Sequence, residues 1–216
     1  NTFDTSNFTL DNVDQAVILA GGTVNGALSV TTSTSGTITQ TGALTVTGNA
    51  TFTTEANNQA ITLSNGSNNF GGNVILSTAG TSGNVTIDNG TNALMLQGTV
   101  LGNLTVLNEN TIGDSDTLRV TGTSSFTTES TGDHITLGTA DLEDAITLST
   151  TNTSNFTLDN VGQAVILAAG TVNGALSVTT DDTITQTGAL TVTGTSLFHT
   201  SGGNDKAITL DEANSL

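Results

Sequence analysis

The chain has no cysteine, no proline, no tryptophan and no tyrosine. It has one methionine, two histidines and two basic residues, Arg119 and Lys206, among 216 residues. Each absence removes a class. Without cysteine there is neither a disulfide scaffold nor a thiolate metal site. Two cations cannot neutralise a run of phosphates, so nucleic-acid binding is excluded on charge. No apolar run reaches the ~18 residues of a membrane-spanning helix. Charged residues make up 10% of the chain, against about 25% in an ordinary soluble domain. The charge present is almost all negative, with a formal net of −17, and it is spread along the sequence. Such a surface repels anionic membranes and nucleic acid and keeps an elongated object soluble.

The remaining residues are small and aliphatic or hydroxylated, and they repeat. Ser6 to Thr32 (SNFTLDNVDQAVILAGGTVNGALSVTT) returns at Ser154 to Thr180 with two changes. TITQTGALTVTG at Thr37–Gly48 returns at Thr183–Gly194. A shorter period lies inside this one. LTVTGNATFTTE begins at Leu44, LRVTGTSSFTTE at Leu118 and LTVTGTSLFHTS at Leu190. Phe52, Phe126 and Phe198 keep that spacing, and a second landmark, Thr-Val-x-Gly-x-Leu-x-Val, recurs in alternation with them from Thr23, Thr99 and Thr171. The unit is about 73 residues, and self-similarity at a fixed period is the mark of a stacked repeat architecture. Its approximate boundaries are 1–43 (partial), 44–117, 118–189 and 190–216 (partial). Both ends fall inside the pattern, as expected of a segment of a longer array.

A finer beat runs through each unit. Apolar residues come in pairs two apart, such as Leu28/Val30, Ile61/Leu63, Val85/Ile87 and Leu176/Val178, usually with Thr or Ser between them. Alternation with period two on β-branched residues predicts short strands with one apolar face. Gly, Asn, Asp and Ser fill the gaps and suit turns. No helical stripe is present. Strands this short cannot enclose a core alone, but they can stack as coils. The expected fold is all-β: a single-stranded parallel β-helix, continuous over 1–216. Three short strands per coil of about 18 residues give roughly 12 coils, four to a unit. At about 4.8 Å per coil the rod would be on the order of 55–60 Å long. Asp11-Asn12, Asp88-Asn89 and Asp159-Asn160 recur at equivalent turns, where stacked Asn side chains can bond along the axis. The competing architecture is a string of small antiparallel sandwiches, which calls for longer strands and bulkier core residues.

The blocks ALTVTGNATFTTE, ITQTGALTVTG, NNFGGNVILS and GTVNGALSVTT resemble the repeat regions of filamentous-haemagglutinin-like exoproteins, the large adhesins of two-partner secretion. The resemblance covers essentially the whole chain. It implies a right-handed β-helix, export of the unfolded chain through an outer-membrane pore, and a filament at the cell surface. Handedness comes from the resemblance and not from the spacing.

Candidate chemistry is sparse. His134 and His199 have no nucleophile in a recognisable frame and read as surface residues. Asp114/Asp116, Asp141/Glu143/Asp144, Asp181/Asp182 and Asp211/Glu212 could bind Ca²⁺ or act as a glycosidase pair. They lie in turns at mostly non-equivalent positions and read as solvated charge. The triplets Thr37/Thr39, Thr45/Thr47 and Thr191/Thr193 raise ice binding, but they do not occur on every coil. Sequons begin at Asn7, Asn49, Asn65, Asn84, Asn89, Asn103, Asn152 and Asn155, and chance yields many in such a composition. No residue is assigned as catalytic, cofactor-binding or metal-ligating, and no cofactor is expected. The expected function is a structural or adhesive segment of a secreted, non-catalytic filament. Its partners would be further copies, end to end or side by side, and a host or cell-surface glycan. The alternative is a binding module that recognises ice or glycans through outward Thr and Asn rows.

Overall fold

The computed structural model describes residue 1, residues 4–203 and residues 206–216. It is all-β, and every pairing between its strands is parallel. The chain is therefore a parallel β-solenoid, and the antiparallel sandwich string is not its architecture.

The strands are β1 (Phe8–Asn12), β2 (Val17–Leu19), β3 (Gly22–Val24), β4 (Leu28–Thr32), β5 (Ile38–Gln40), β6 (Leu44–Val46), β7 (Ala50–Asn57), β8 (Ile61–Leu63), β9 (Asn69–Phe70) and β10 (Val74–Ala79). Next come β11 (Val85–Asp88), β12 (Leu94–Val100), β13 (Leu104–Asn108), β14 (Ile112–Val120), β15 (Ser124–Thr128), β16 (Ile135–Leu142) and β17 (Ile146–Ser149). The last are β18 (Phe156–Asn160), β19 (Val165–Leu167), β20 (Gly170–Val172), β21 (Leu176–Thr180), β22 (Ile184–Gln186), β23 (Leu190–Val192) and β24 (Ser196–Thr200). A ten-stranded and an eleven-stranded sheet run the length of the rod, and β3, β6 and β9 form a third, short sheet.

The ten-stranded sheet contains nine steps, so nine coils share the stretch from Phe8 to Ser196. The steps are unequal. A short one carries Leu94 to Ile112, and a long one carries Ala50 to Val74. The count of nine corrects the expected twelve, and the rod is about 43 Å long at ~4.8 Å per coil. Coils are longer than expected because one side of each coil is built differently from the other. One side is a single strand such as β4. The other is two short strands with a bend between them, such as β5 and β6, or one long strand with a bulge, such as β12.

The repeating unit is not a whole number of coils. Its single-strand segments in the first unit are β1, β4, β7 and β10, and its composite segments are β2–β3, β5–β6 and β8–β9. That makes seven half-coils, or three and a half turns. The next unit therefore starts half a turn round. Its single-strand segments β11, β13, β15 and β17 stack on β8 in the eleven-stranded sheet, while β12, β14 and β16 continue the ten-stranded one. In the third unit β18, β21 and β24 return to the ten-stranded sheet. This explains why the near-identical copy of Ser6–Thr32 lies two units on, at Ser154–Thr180. Two units make seven whole coils, the shortest multiple of the unit that returns each residue to its own face.

Side chains alternate in and out along each strand. The inward set, including Val30, Ile38, Phe52, Leu76, Ile87, Leu96, Phe126, Leu148, Leu158 and Val178, is essentially inaccessible to water. Phe52 and Phe70 meet edge to face with ring centres 5.9 Å apart, and Phe126 meets Phe156 likewise at 6.3 Å. At the bulge in β12, Gly98 has φ +108°, and a Cβ there would lie 2.1 Å from the carbonyl oxygen of Leu76 on the coil below. Neither the dihedral nor the space admits a side chain. Gly98→Ala should therefore cost about 2 kcal/mol or more, from left-handed strain plus overpacking. A urea titration showing an unchanged midpoint would contradict this.

The half-turn offset creates a problem that the Asp-Asn pairs solve. At each junction a composite segment ends where no backbone strand continues above it. At the first junction the buried Asn89 accepts from the Phe70 N–H (2.6 Å), and its amide nitrogen donates to the carbonyls of Ala93 (2.9 Å) and Phe70 (3.3 Å). At the second, Asn160 accepts from the Leu142 N–H (2.7 Å) and donates to the Leu142 carbonyl (3.0 Å). In both cases a side-chain amide takes the place of the missing peptide group. Bonding along the axis continues in one direction. Asn108 accepts from the Asn89 N–H at 3.2 Å and donates to the Asn92 carbonyl at 2.9 Å.

Candidate functional site

The singled-out polar residues are held by their own scaffold. Asp114 sits where β14 bulges, and its two carboxylate oxygens accept the N–H groups of Gly138 (2.8 Å) and Thr139 (2.7 Å). Asp116 and Asp144 each accept the N–H of the following residue. Asp181 accepts the Gly162 N–H at 2.9 Å. Asp211 and Glu212 are exposed near the end of the chain. His134 precedes β16, and its Nδ1 accepts the Asn155 N–H at 3.0 Å, which leaves the ring proton on Nε2. His199 faces outward on β24, three coils further along the same sheet. Among the described residues, no group of three or more His, Asp or Glu gathers as a metal site would require.

The ionic network around Arg119 lies in the ten-stranded sheet. Arg119 Nε is 3.4 Å from Asp141 Oδ2, and its terminal nitrogen is hydrogen-bonded to Glu143. Burial raises the Asp141 pKa, the Glu143 charge raises it further, and Arg119 opposes both. A carboxyl whose pKa rises on folding holds its proton more tightly in the folded chain. Its ionisation costs stability as the pH climbs from the ordinary carboxylate value through the raised one, and the cost is absent below both. Replacing Glu143 by Gln should bring the Asp141 pKa down, as followed by carboxyl NMR titration. A pKa unmoved by that change would show that the neighbouring charge plays no part. Asp182 is the opposite case. A hydrogen bond from Lys206 and the Thr183 N–H lower its pKa. Its contribution is present above the ordinary carboxylate value and is lost as the pH falls through the lowered one.

The sequons have a structural origin. Asn7, Asn49, Asn84, Asn103 and Asn155 each stand just before a single-strand segment, and each side-chain oxygen accepts an N–H from the coil above. The distances are 2.8 Å to Ala27, 3.1 Å to Asn73, 2.9 Å to Asn103, 3.0 Å to Thr123 and 2.8 Å to Ala175. The Thr two residues later is the first outward position of the strand, so corner and strand together spell the motif. Asn89 is buried and Asn65 caps its own turn, while Asn152 donates to Thr131 at 2.7 Å.

The Thr triplets do not form the array that their sequence suggests. The Thr47 and Thr193 hydroxyls tie the corner to the Asn25 and Asn173 carbonyls of the coil below. A different row exists. In the eleven-stranded sheet Thr39, Thr62, Thr86, Thr105, Ser125 and Thr147 stand in register on six consecutive coils. All six face outward, one hydroxyl per coil. The row was not legible in the sequence because it crosses a unit junction. Its first two members come from composite segments and the other four from single-strand segments.

Among the described residues, no helix is long and apolar enough to cross a membrane. The sequence matches a family described as repeats of unknown function (DUF5649) three times, over residues 5–77, 82–149 and 153–216. No match was found among curated proteins or among solved structures. The three matched segments open just before β1, β11 and β18, the strands that begin successive seven-half-coil units. Their phase differs from the boundaries drawn at Leu44, Leu118 and Leu190. The match spans nearly the whole sequence in three consecutive copies, and the chain belongs to the DUF5649 repeat family.

Proposed function

We propose that this chain is a structural and adhesive segment of a secreted filament at a bacterial cell surface, with no catalytic role. The observation that carries the reading is the continuation of the ten-stranded sheet through both unit junctions. Each added unit lengthens the rod by about 17 Å, three and a half steps of ~4.8 Å, without needing a new core. A rod of this kind works by length and stiffness. The resemblance to filamentous-haemagglutinin-like repeats supports the surface location, the right-handed coil and passage through an outer-membrane pore. Further copies, joined end to end or side by side, are its partners, together with a cell-surface glycan. Immunogold labelling of intact cells tests the location. Label on the surface before permeabilisation is expected, and label only after permeabilisation would refute it.

The second reading is a binding module for ice or glycans. The six-coil hydroxyl row favours it over what the broken triplets offered. Thermal hysteresis of the purified chain, or retention on a glycan array, would move the balance to this reading.

A further inference from the structure

We infer that the outer face of the eleven-stranded sheet is a contact surface for a second copy of this chain, with two rods lying sheet against sheet. The two broad faces differ. Between β5 and β17 the eleven-stranded sheet keeps a continuous register. Four register shifts interrupt the ten-stranded sheet, at Ser77/Ala79, Leu96/Gly98, Gly113/Leu118 and Leu137/Ala140. That sheet also carries the Arg119–Asp141–Glu143 network and the Asp114 bulge. The eleven-stranded face presents six hydroxyls in a line with no charge among them, flanked on the last four coils by Asp88, Leu107, Thr127 and Ser149, and the Asp88 carboxylate is engaged by the Gly90 N–H at 2.7 Å. Glu109 and Glu129 follow β13 and β15 at the corner.

This distribution selects a geometry. Approach through the corners sets carboxylate against carboxylate, and like charges at close range are costly. Approach through the smooth face brings together two flat surfaces of mostly small, uncharged residues with high β-propensity and the same ~4.8 Å step, each carrying the single carboxylate of Asp88, at the ~10 Å distance at which sheets pack. Rows of equal step interdigitate along their whole length. Six coils of short strands give a projected area on the order of 500 Å² per rod, at the weak end of specific interfaces. The area grows with each added pair of units. The expected species is a dissociable dimer whose partner is another copy, held face to face. This deepens the filament reading, on which it rests, and its test separates the two.

Sedimentation velocity on the chain, from micromolar to millimolar at low and high salt, reads the association directly. A concentration-dependent dimer, tighter at high salt as the corner charges are screened, supports the proposal. Thr105→Glu should weaken it by about tenfold or more. Thr51→Glu on the opposite sheet should leave it unchanged. Ser125→Glu replaces Thr105→Glu if the latter fails to melt cooperatively. A single rod at every concentration and salt would overturn the proposal, as would equal effects of the two Glu substitutions. Electron micrographs of filaments one rod wide would also overturn it while leaving the filament reading intact.

Discussion

Phe126→Ala should lower the stability of the rod by about 3–5 kcal/mol, the cost of a large buried aromatic replaced by a methyl. Phe126 is fully buried on β15 and meets Phe156 edge to face at 6.3 Å. Its position in the interior leaves little room for collapse. The coils above and below are tied to it by continuous backbone ladders, so neighbouring strands cannot close over the gap without breaking register. The void would therefore persist, and cavity cost adds to the lost transfer energy. Phe52 against Phe70 is a second such pair in the first unit, with Phe52 on the opposite sheet from Phe126, and Phe52→Ala should behave alike. A urea titration with a loss under about 1 kcal/mol would place these rings at the surface and break the inward assignment.

Asn89→Ala should be nearly as damaging, at about 3 kcal/mol or more, although it removes no apolar contact. The Asn89 amide satisfies the Phe70 N–H and carbonyl and the Ala93 carbonyl in a buried corner. Each group left unpaired there costs about 1–3 kcal/mol. Asn160→Ala at the second junction should match it, because Asn160 pairs the Leu142 N–H and carbonyl in the same way. Asn12→Ala is the control. Asn12 lies in the first coil and its side chain donates to the exposed Gln15 carbonyl, so a change of only a few tenths of a kcal/mol is expected. Equal losses at the three positions would remove the junction role. Hydrogen exchange at the Phe70 and Leu142 amides gives an independent reading, since loss of protection there should precede loss elsewhere in each variant.

Much of this fold is legible in the residues. Pairs such as Leu28/Val30 and Ile61/Leu63 mark both the strands and the inward face, because period-two alternation has one physical meaning in a short segment. Phe8 and Ile208 are inward by pattern yet each 43% exposed, being in the first and last coils, where one neighbour is absent. Coil length was not legible. Turns between strands differ by several residues without any change in the apolar pairs, so the apolar beat carries no measure of the circumference. The half-turn offset is written in the sequence in a less obvious form. Two landmarks with one spelling, Thr23 to Val30 and Thr99 to Val106, lie on different sheets. Only the much closer match between Ser6–Thr32 and Ser154–Thr180 hints that a single unit does not close on itself. The Asp-Asn pairs read as turns with stacked Asn, but their role at junctions depends on where a strand stops. The hydroxyl row stayed hidden because its members belong to unlike segments that become neighbours only after the half turn.

The distance between Ser29 and Ser177 tests the stacking most directly. Both face outward from the ten-stranded sheet, and seven coil steps separate β4 from β21. The chain has no cysteine of its own, so Ser29→Cys with Ser177→Cys accepts two spin labels at unique sites. Pulsed dipolar spectroscopy should give one narrow distribution centred near ~34 Å, seven steps of about 4.8 Å along one face. A broad distribution, or a centre displaced by two or more coil steps, would contradict the seven-coil, two-unit repeat on which the account rests.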